Sequence, residues 1–297
     1  MKICYKETNF KEKSLYLIEK ANDIVSDYKE QGYDLTLRQL YYQFVARDII
    51  PNNQKSYDNL GALINNARLA GLVDWNAIED RTRNIRNAYH WEDPNALLAS
   101  AARQFDLNKW AGQSEYVEVW VEKDALVGIV GQAAESYDVP YFSCRGYVSQ
   151  TEMWGAAQRI IRKLEHEHEH ATIIHLGDHD PSGKDMTRDI TDRINMFATH
   201  HGFDEFSIEI RRVALEMNQI QKYNPPPNPA KLTDSRCGKY IQEYGRSSWE
   251  LDALEPMVLE NIIQNAVRDL LNIDLFNEKL KEENEIKRRL EQYAKDF

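Results

Sequence analysis

The chain has 297 residues, of which 42% are hydrophobic and 29% charged, and a net charge of −11. This suits a soluble, core-forming protein of one large domain or two ordinary ones. The longest apolar runs, such as Ala171 to Leu176, are too short to span a bilayer. The acidic balance excludes a uniformly basic nucleic-acid binder but not a local basic patch.

The opening MKICYKETNF lacks the apolar stretch of a secretory leader. Cys4, Cys144 and Cys237 are widely spaced and form no metal or disulfide pattern. A reducing, cytoplasmic setting is therefore expected. Residues 11–31 place Leu15, Ile18, Ala21, Ile24, Val25 and Tyr28 at helical spacing. Thr36 is a candidate N-cap for the next helix, whose apolar face is Leu37, Leu40, Tyr41, Phe44 and Val45. PNNQ reads as a turn, and SYDNLGALINNARLAGLV as a third helix with Ser56 as cap and Gly71 near its end. Helix, turn, helix and a short apolar segment fit a winged-helix module over residues 1–92. Its RTRNIR cluster offers Arg81, Arg83 and Arg86 to phosphate, or simply a solvated helix end or loop.

Residues 93–115 read as a connector with one helix. From 116 onward, strands alternate with helices: YVEVWV, VPYFSC, ATIIHLGD and FSIEIRRVAL are the strands. That order predicts an α/β unit with a parallel sheet covered on both faces. NPPPNPAKLTDSR is a loop, because its prolines exclude helix. Residues 256–297 read as charged helix.

The run IIHLGDHDPSG carries the chemistry. If the strand persists, Asp178 and Asp180 point to one side at the carboxyl end of a parallel sheet, where open α/β folds bind ligands. Two adjacent carboxylates repel unless a cation lies between them, and Mg²⁺ is the expected one. The alternatives are structural: Asp180 before Pro181 as a helix N-cap, and Asp178 as a turn residue. A calcium loop through Asp178, Asp180, Ser182, Gly183 and Asp189 is disfavoured by the strand-like segment before it. Glu122, at the end of VEVWVEKDAL, would converge on the same edge if the two strands are neighbours.

These residues resemble the TOPRIM domain shared by topoisomerases, primases and some nucleases. The resemblance covers roughly Tyr116 to Leu215 and is nearest to the A subunit of type IIB topoisomerases and the related meiotic double-strand-break protein. DHDPSG is similar to that family's D-x-D-P-x-G. CRGYVSQT resembles its G-K-G-Y-P segment, with Arg145 in place of lysine and Val148 in place of proline. TLRQLYYQFV is similar to the family's R-D-I-Y-Y helix, with Gln39 in place of the aspartate. The whole chain looks like a compact stand-alone relative of the kind found in bacteria and on mobile elements.

The resemblance implies a winged-helix domain joined to a TOPRIM domain with a helical C-terminal extension. It implies that Tyr42 attacks a DNA phosphodiester to form a 5′-phosphotyrosyl link, and that Arg38 stabilises the phosphate. Asp178, Asp180 and Glu122 would hold Mg²⁺, with Glu122 alternatively a general acid–base. Lys123, Arg81, Arg83 and Arg86 would contact the backbone of double-stranded DNA. Tyrosine and carboxylates would meet across a two-fold homodimer, and strand passage would need a separate GHKL-type ATPase partner.

On a helical wheel Tyr41 falls with the apolar side and Tyr42 turns about 100° away, so Tyr41 is expected in the core and Tyr42 exposed. Glu250, Asp252 and Glu255 either support the metal site or cap a helix, and are read as caps. HEHEH, His166 to His170, satisfies H-E-x-x-H but is set aside as a polar helix end without a third ligand. Two other functions stay open: a hydrolytic TOPRIM nuclease that does not use the tyrosine, and a non-catalytic DNA-binding module.

Overall fold

The computed structural model describes residues 1–79, 88, 90–204, 206–230 and 234–296. It begins with three helices, α1 (Glu12–Glu30), α2 (Leu37–Ala46) and α3 (Gln54–Leu69). In α1 the buried stripe is Ile18, Ala21, Ile24, Val25 and Tyr28, the expected face. Thr36 closes a capping box on α2: its hydroxyl accepts from Gln39 N, and the Gln39 side chain accepts from Thr36 N at 2.8 Å. Gln39 thus has a structural task in the first turn of α2. The cap of α3 is Asn53 rather than Ser56, because Asn53 Oδ1 accepts from Ser56 N at 2.9 Å. Cys4 bridges Ala70, and Leu35 bridges Ile78, at isolated positions.

The connector carries α4 (Pro94–Gln104), capped by Asp93 with proline in its first turn. The α/β unit then follows as β1 (Glu115–Val121), α5 (Val127–Glu135), β2 (Tyr141–Ser143), α6 (Gln150–His166), β3 (His170–Leu176), α7 (Pro181–His200) and β4 (Ile208–Ala214). The sheet order is β2-β1-β3-β4, and every pair is parallel. Period-two alternation sorts the strands' side chains. Val117, Val119, Val121, Ile174 and Leu176 share one continuous core with α1 to α3 and α5. Trp120, Ala171 and Ile173 face the core built with α6 and α7. Leu40 and Phe44 of α2 are fully buried in the first core, and each such side chain contributes about 1.5–3 kcal/mol.

After the sheet come α8 (Met217–Tyr223), β5 (Asn228–Pro229), α9 (Cys237–Tyr244) and β6 (Ser247–Ser248), with β5 and β6 antiparallel. The helix expected over 256–297 is two helices, α10 (Pro256–Arg268) and α11 (Ile273–Asp296). The break lets Asn272 N donate to Gln113 Oε1 at 2.8 Å. It also lets α11 lie along the connector, where Glu283 accepts from Leu107 N at 2.8 Å and pairs with Lys109 at 2.6 Å.

His166 and His170 share no helix face, since α6 ends at His166 and His170 opens β3. Between them His168 is buried, its Nδ1 2.9 Å from the Gln113 carbonyl. Among the described residues no helix is long and apolar enough to cross a membrane.

Candidate active site

β1 and β3 are neighbours in register up to Val121 and Leu176, so their carboxyl ends emerge side by side. Glu122 N donates to Leu176 O at 2.9 Å, and Asp178 N donates to Glu122 Oε2 at 2.8 Å. The expected meeting of Glu122 with the D-x-D segment is therefore present. The strand does not persist through both aspartates, however. β3 stops at Leu176, and His179 makes only an isolated bridge to Trp249. The two aspartates consequently take different partners. Asp178 is buried, its Oδ1 accepting from Leu251 N at 2.8 Å and its Oδ2 2.9 Å from Lys123 Nζ. Asp180 is the N-cap of α7, accepting from Gly183 N at 2.6 Å.

Arg212 of β4 fixes this loop from below. Its Nη2 donates to the carbonyls of Gly177 at 2.8 Å and Asp178 at 2.7 Å, and its Nη1 donates to Gly183 O at 2.9 Å. Gly183 is required for close approach, because a Cβ there would collide with the Asp178 carbonyl. That collision is a local physical reason for glycine at the end of DHDPSG.

Lys123, expected to face DNA, is instead largely buried among carboxylates. Its ammonium lies 2.9 Å from Asp178, 2.7 Å from Glu250 and 2.9 Å from Asp252. Arg38 reaches the same acids from α2, at 2.6 Å from Glu250 and 3.0 Å from Asp252. Neither Glu250 nor Glu255 makes a side-chain cap. The reading of Glu250 and Asp252 as caps is replaced by ion pairs whose cationic partners lie far away in sequence.

Arg38 and Tyr42 are one turn apart, so they share a face of α2. The guanidinium carbon sits 5.7 Å from the Tyr42 ring centre, and Nη2 is 3.4 Å from the hydroxyl. The expected contrast between an exposed Tyr42 and a core Tyr41 does not hold, since each is 4% exposed. The segment carrying Glu250 and Asp252 covers the side of α2 that a helical wheel leaves to solvent. Tyr41 donates to Asn52 Oδ1 at 2.9 Å and packs edge-on against Tyr42 and Tyr57. Asn52 bonds to Asn228, which donates to Glu250 Oε1 at 3.1 Å. Asn228, in the proline-rich loop, thereby ties β5 to both halves of the site.

Tyr42, Arg38, Asp180, Asn228 and Glu250 line one cleft of about 410 Å³. Tyr42 and Asp180, one of the three acids expected at the metal, thus line one cleft of a single chain. Burial pushes the Tyr42 phenol above its ordinary value, and Asp252 and Glu250 push it further while Arg38 opposes. Burial also raises Glu122, opposed by the Asp178 N–H and Lys123. Although burial opposes it, Lys123 together with Tyr42 and Arg38 holds Glu250 down to about 2.

Glu122, Asp178, Asp180, Glu250 and Asp252 outnumber the cations facing them, Lys123, Arg38 and Arg212. The donors are hard oxygens, the type Mg²⁺ takes. Glu122 and Asp180 carry oxygen donors of the type a divalent cation takes, whereas Asp178 Oδ2 is already paired with Lys123. Among the described residues no group of three or more His, Cys, Asp or Glu is set as a metal centre. Arg81, Arg83 and Arg86 lie outside the described residues.

No protein-family model matches the chain, and no curated protein matches it.

Proposed function

We propose that this protein is a Mg²⁺-dependent, DNA-cleaving transesterase of the type IIB topoisomerase kind, combining a winged-helix module with a TOPRIM domain. The observation that carries the reading is the cleft shared by Tyr42, Arg38 and Asp180. A phenol, a fixed cation and a carboxylate around one space are the groups that phosphodiester transesterification needs. In that step the Tyr42 oxygen bonds to phosphorus, the phenol proton passes to solvent, and the 3′ oxygen leaves. The leaving oxygen takes a proton from solvent or from Glu122, leaving a 5′-phosphotyrosyl link. Arg38 offsets the charge of the pentacoordinate phosphate. Glu122 and Asp180 would hold Mg²⁺, which when bound would supply Lewis-acid stabilisation of a phosphate oxygen.

Double-stranded DNA is the proposed substrate, and two copies related by a two-fold axis would cut both strands. The meeting of Tyr42 and Asp180 in one cleft of a single chain supports a version in which each copy cuts with its own tyrosine. A separate GHKL-type ATPase partner would add strand passage. A second reading, hydrolysis by a TOPRIM nuclease, is favoured by one observation. The Tyr42 phenol is raised by burial and by two carboxylates, the reverse of activation. The two readings separate on whether DNA stays covalently attached to protein after a detergent quench.

A further inference from the structure

We infer that the Lys123 ammonium is the resident cation of a cage formed by Asp178, Glu250 and Asp252, filling the place that a second divalent ion would take. An ammonium has three donors and no acceptor, and here each of three carboxylates stands at ion-pair distance: 2.9, 2.7 and 2.9 Å. The cage is largely buried, with the side chains of Asp252, Asp178, Lys123 and Glu250 at 0%, 8%, 17% and 22% exposed, Glu250 facing the cleft. Three carboxylates cannot stay ionised in such a space without a cation among them. Because Lys123 follows Glu122 directly, one strand end supplies both a candidate metal ligand and the counter-cation.

Two-metal phosphoryl-transfer sites set their ions about 3.5–4 Å apart, so that one stabilises the attacking and the other the leaving oxygen. Lys123 pre-empts one of those positions here. Asp178 Oδ1 is bonded to Leu251 N and Oδ2 to Lys123, so both oxygens of Asp178 are already engaged within the chain. The site therefore works with at most one divalent ion, on the Glu122–Asp180 side. That last step rests on the proposed metal dependence; the lysine-filled cage does not.

The test is Mn²⁺ binding to the full chain, counted from the loss of the free-ion paramagnetic resonance signal. Lys123→Met is expected to bind one more Mn²⁺ per chain than wild type. Lys123→Arg, which keeps a cation, should bind no more than wild type, and adding Asp252→Asn to Lys123→Met should remove the extra ion. Lys123→Met should also melt lower than wild type in EDTA and regain stability on adding Mn²⁺, by a larger shift than wild type shows. An unchanged ion count with no larger melting shift would overturn the inference. So would two Mn²⁺ per chain in the wild type, a result that does not depend on any variant folding. A wild type that binds no Mn²⁺ while Lys123→Met binds one would support the cage and instead sink the metal-dependent cleavage.

Discussion

Arg38 Nε donates to Asp252 Oδ2 at 3.0 Å, joining side chains 214 positions apart. Asp252 also accepts from Lys123 Nζ at 2.9 Å, so one fully buried carboxylate serves cations from α2 and from the end of β1. Removing it leaves both cations facing an incomplete cage. Asp252→Ala is expected to lower stability by roughly 3 kcal/mol, as for other broken buried pairs. Urea unfolding measures this, and a loss below about 0.5 kcal/mol would show that the pairs are not coupled to the fold.

Asp180 has two separable roles. As the N-cap of α7 it needs only a side-chain oxygen to accept from Gly183 N, and asparagine supplies that equally well. As a cation holder it needs its charge. Asp180→Asn should therefore keep stability within about 0.5 kcal/mol while reducing plasmid cleavage at least about 100-fold. DNA binding, followed by gel shift, should be retained or strengthened as a negative charge is lost. Full cleavage by this variant would remove Asp180 from the chemistry.

His175 gives the protein a pH dependence of definite sign. Burial, reinforced by Arg212, pushes its imidazole down to about 3, and its Nδ1 lies 2.9 Å from Thr187 Oγ1. The unfolded chain takes up this proton near pH 6.5, whereas the folded chain refuses it. Stability from this group is complete above about pH 6.5 and falls as pH drops toward 3, by about 1.4 kcal/mol per pH unit. The stability difference between wild type and His175→Asn, from urea unfolding at pH 7, 6 and 5, should shrink as the pH falls; this difference separates His175 from Asp178, whose carboxyl burial raises to about 8 and which acts with the opposite sign. A difference that stays constant with pH would mean that His175 is protonated in the folded state.

Much of the fold was legible because its signals are local. The stripe of α1, the Thr36 cap, the alternation of β1 and the proline that starts α7 each depend on residues within a few positions of one another. The convergence of Glu122 with the D-x-D segment was legible too, because parallel neighbours align their carboxyl ends. The remaining features come from long-range contacts. Tyr42 reads as exposed on its own helix and is buried by a segment about two hundred residues later. Glu250 and Asp252 look like caps locally, but their partners Lys123 and Arg38 lie on distant elements. Arg212 looks like an ordinary polar position within a strand, yet it holds the carbonyls of the D-x-D loop. A charged residue in a central segment of strand was the available signal, since such a side chain is seldom buried without partners.

Tyr41 and Tyr42 are adjacent and equally buried, which makes them matched controls for each other. Tyr41→Phe loses the bond to Asn52 and should cost about 1 kcal/mol while leaving the chemistry intact. The most direct measurement incubates supercoiled plasmid and Mg²⁺ with wild type, Tyr41→Phe and Tyr42→Phe, quenches with detergent, and assays DNA linked to protein. A 5′-linked adduct is expected with wild type and Tyr41→Phe and none with Tyr42→Phe. Cleavage without any adduct, unchanged in Tyr42→Phe, would contradict that expectation and make the protein a hydrolytic nuclease.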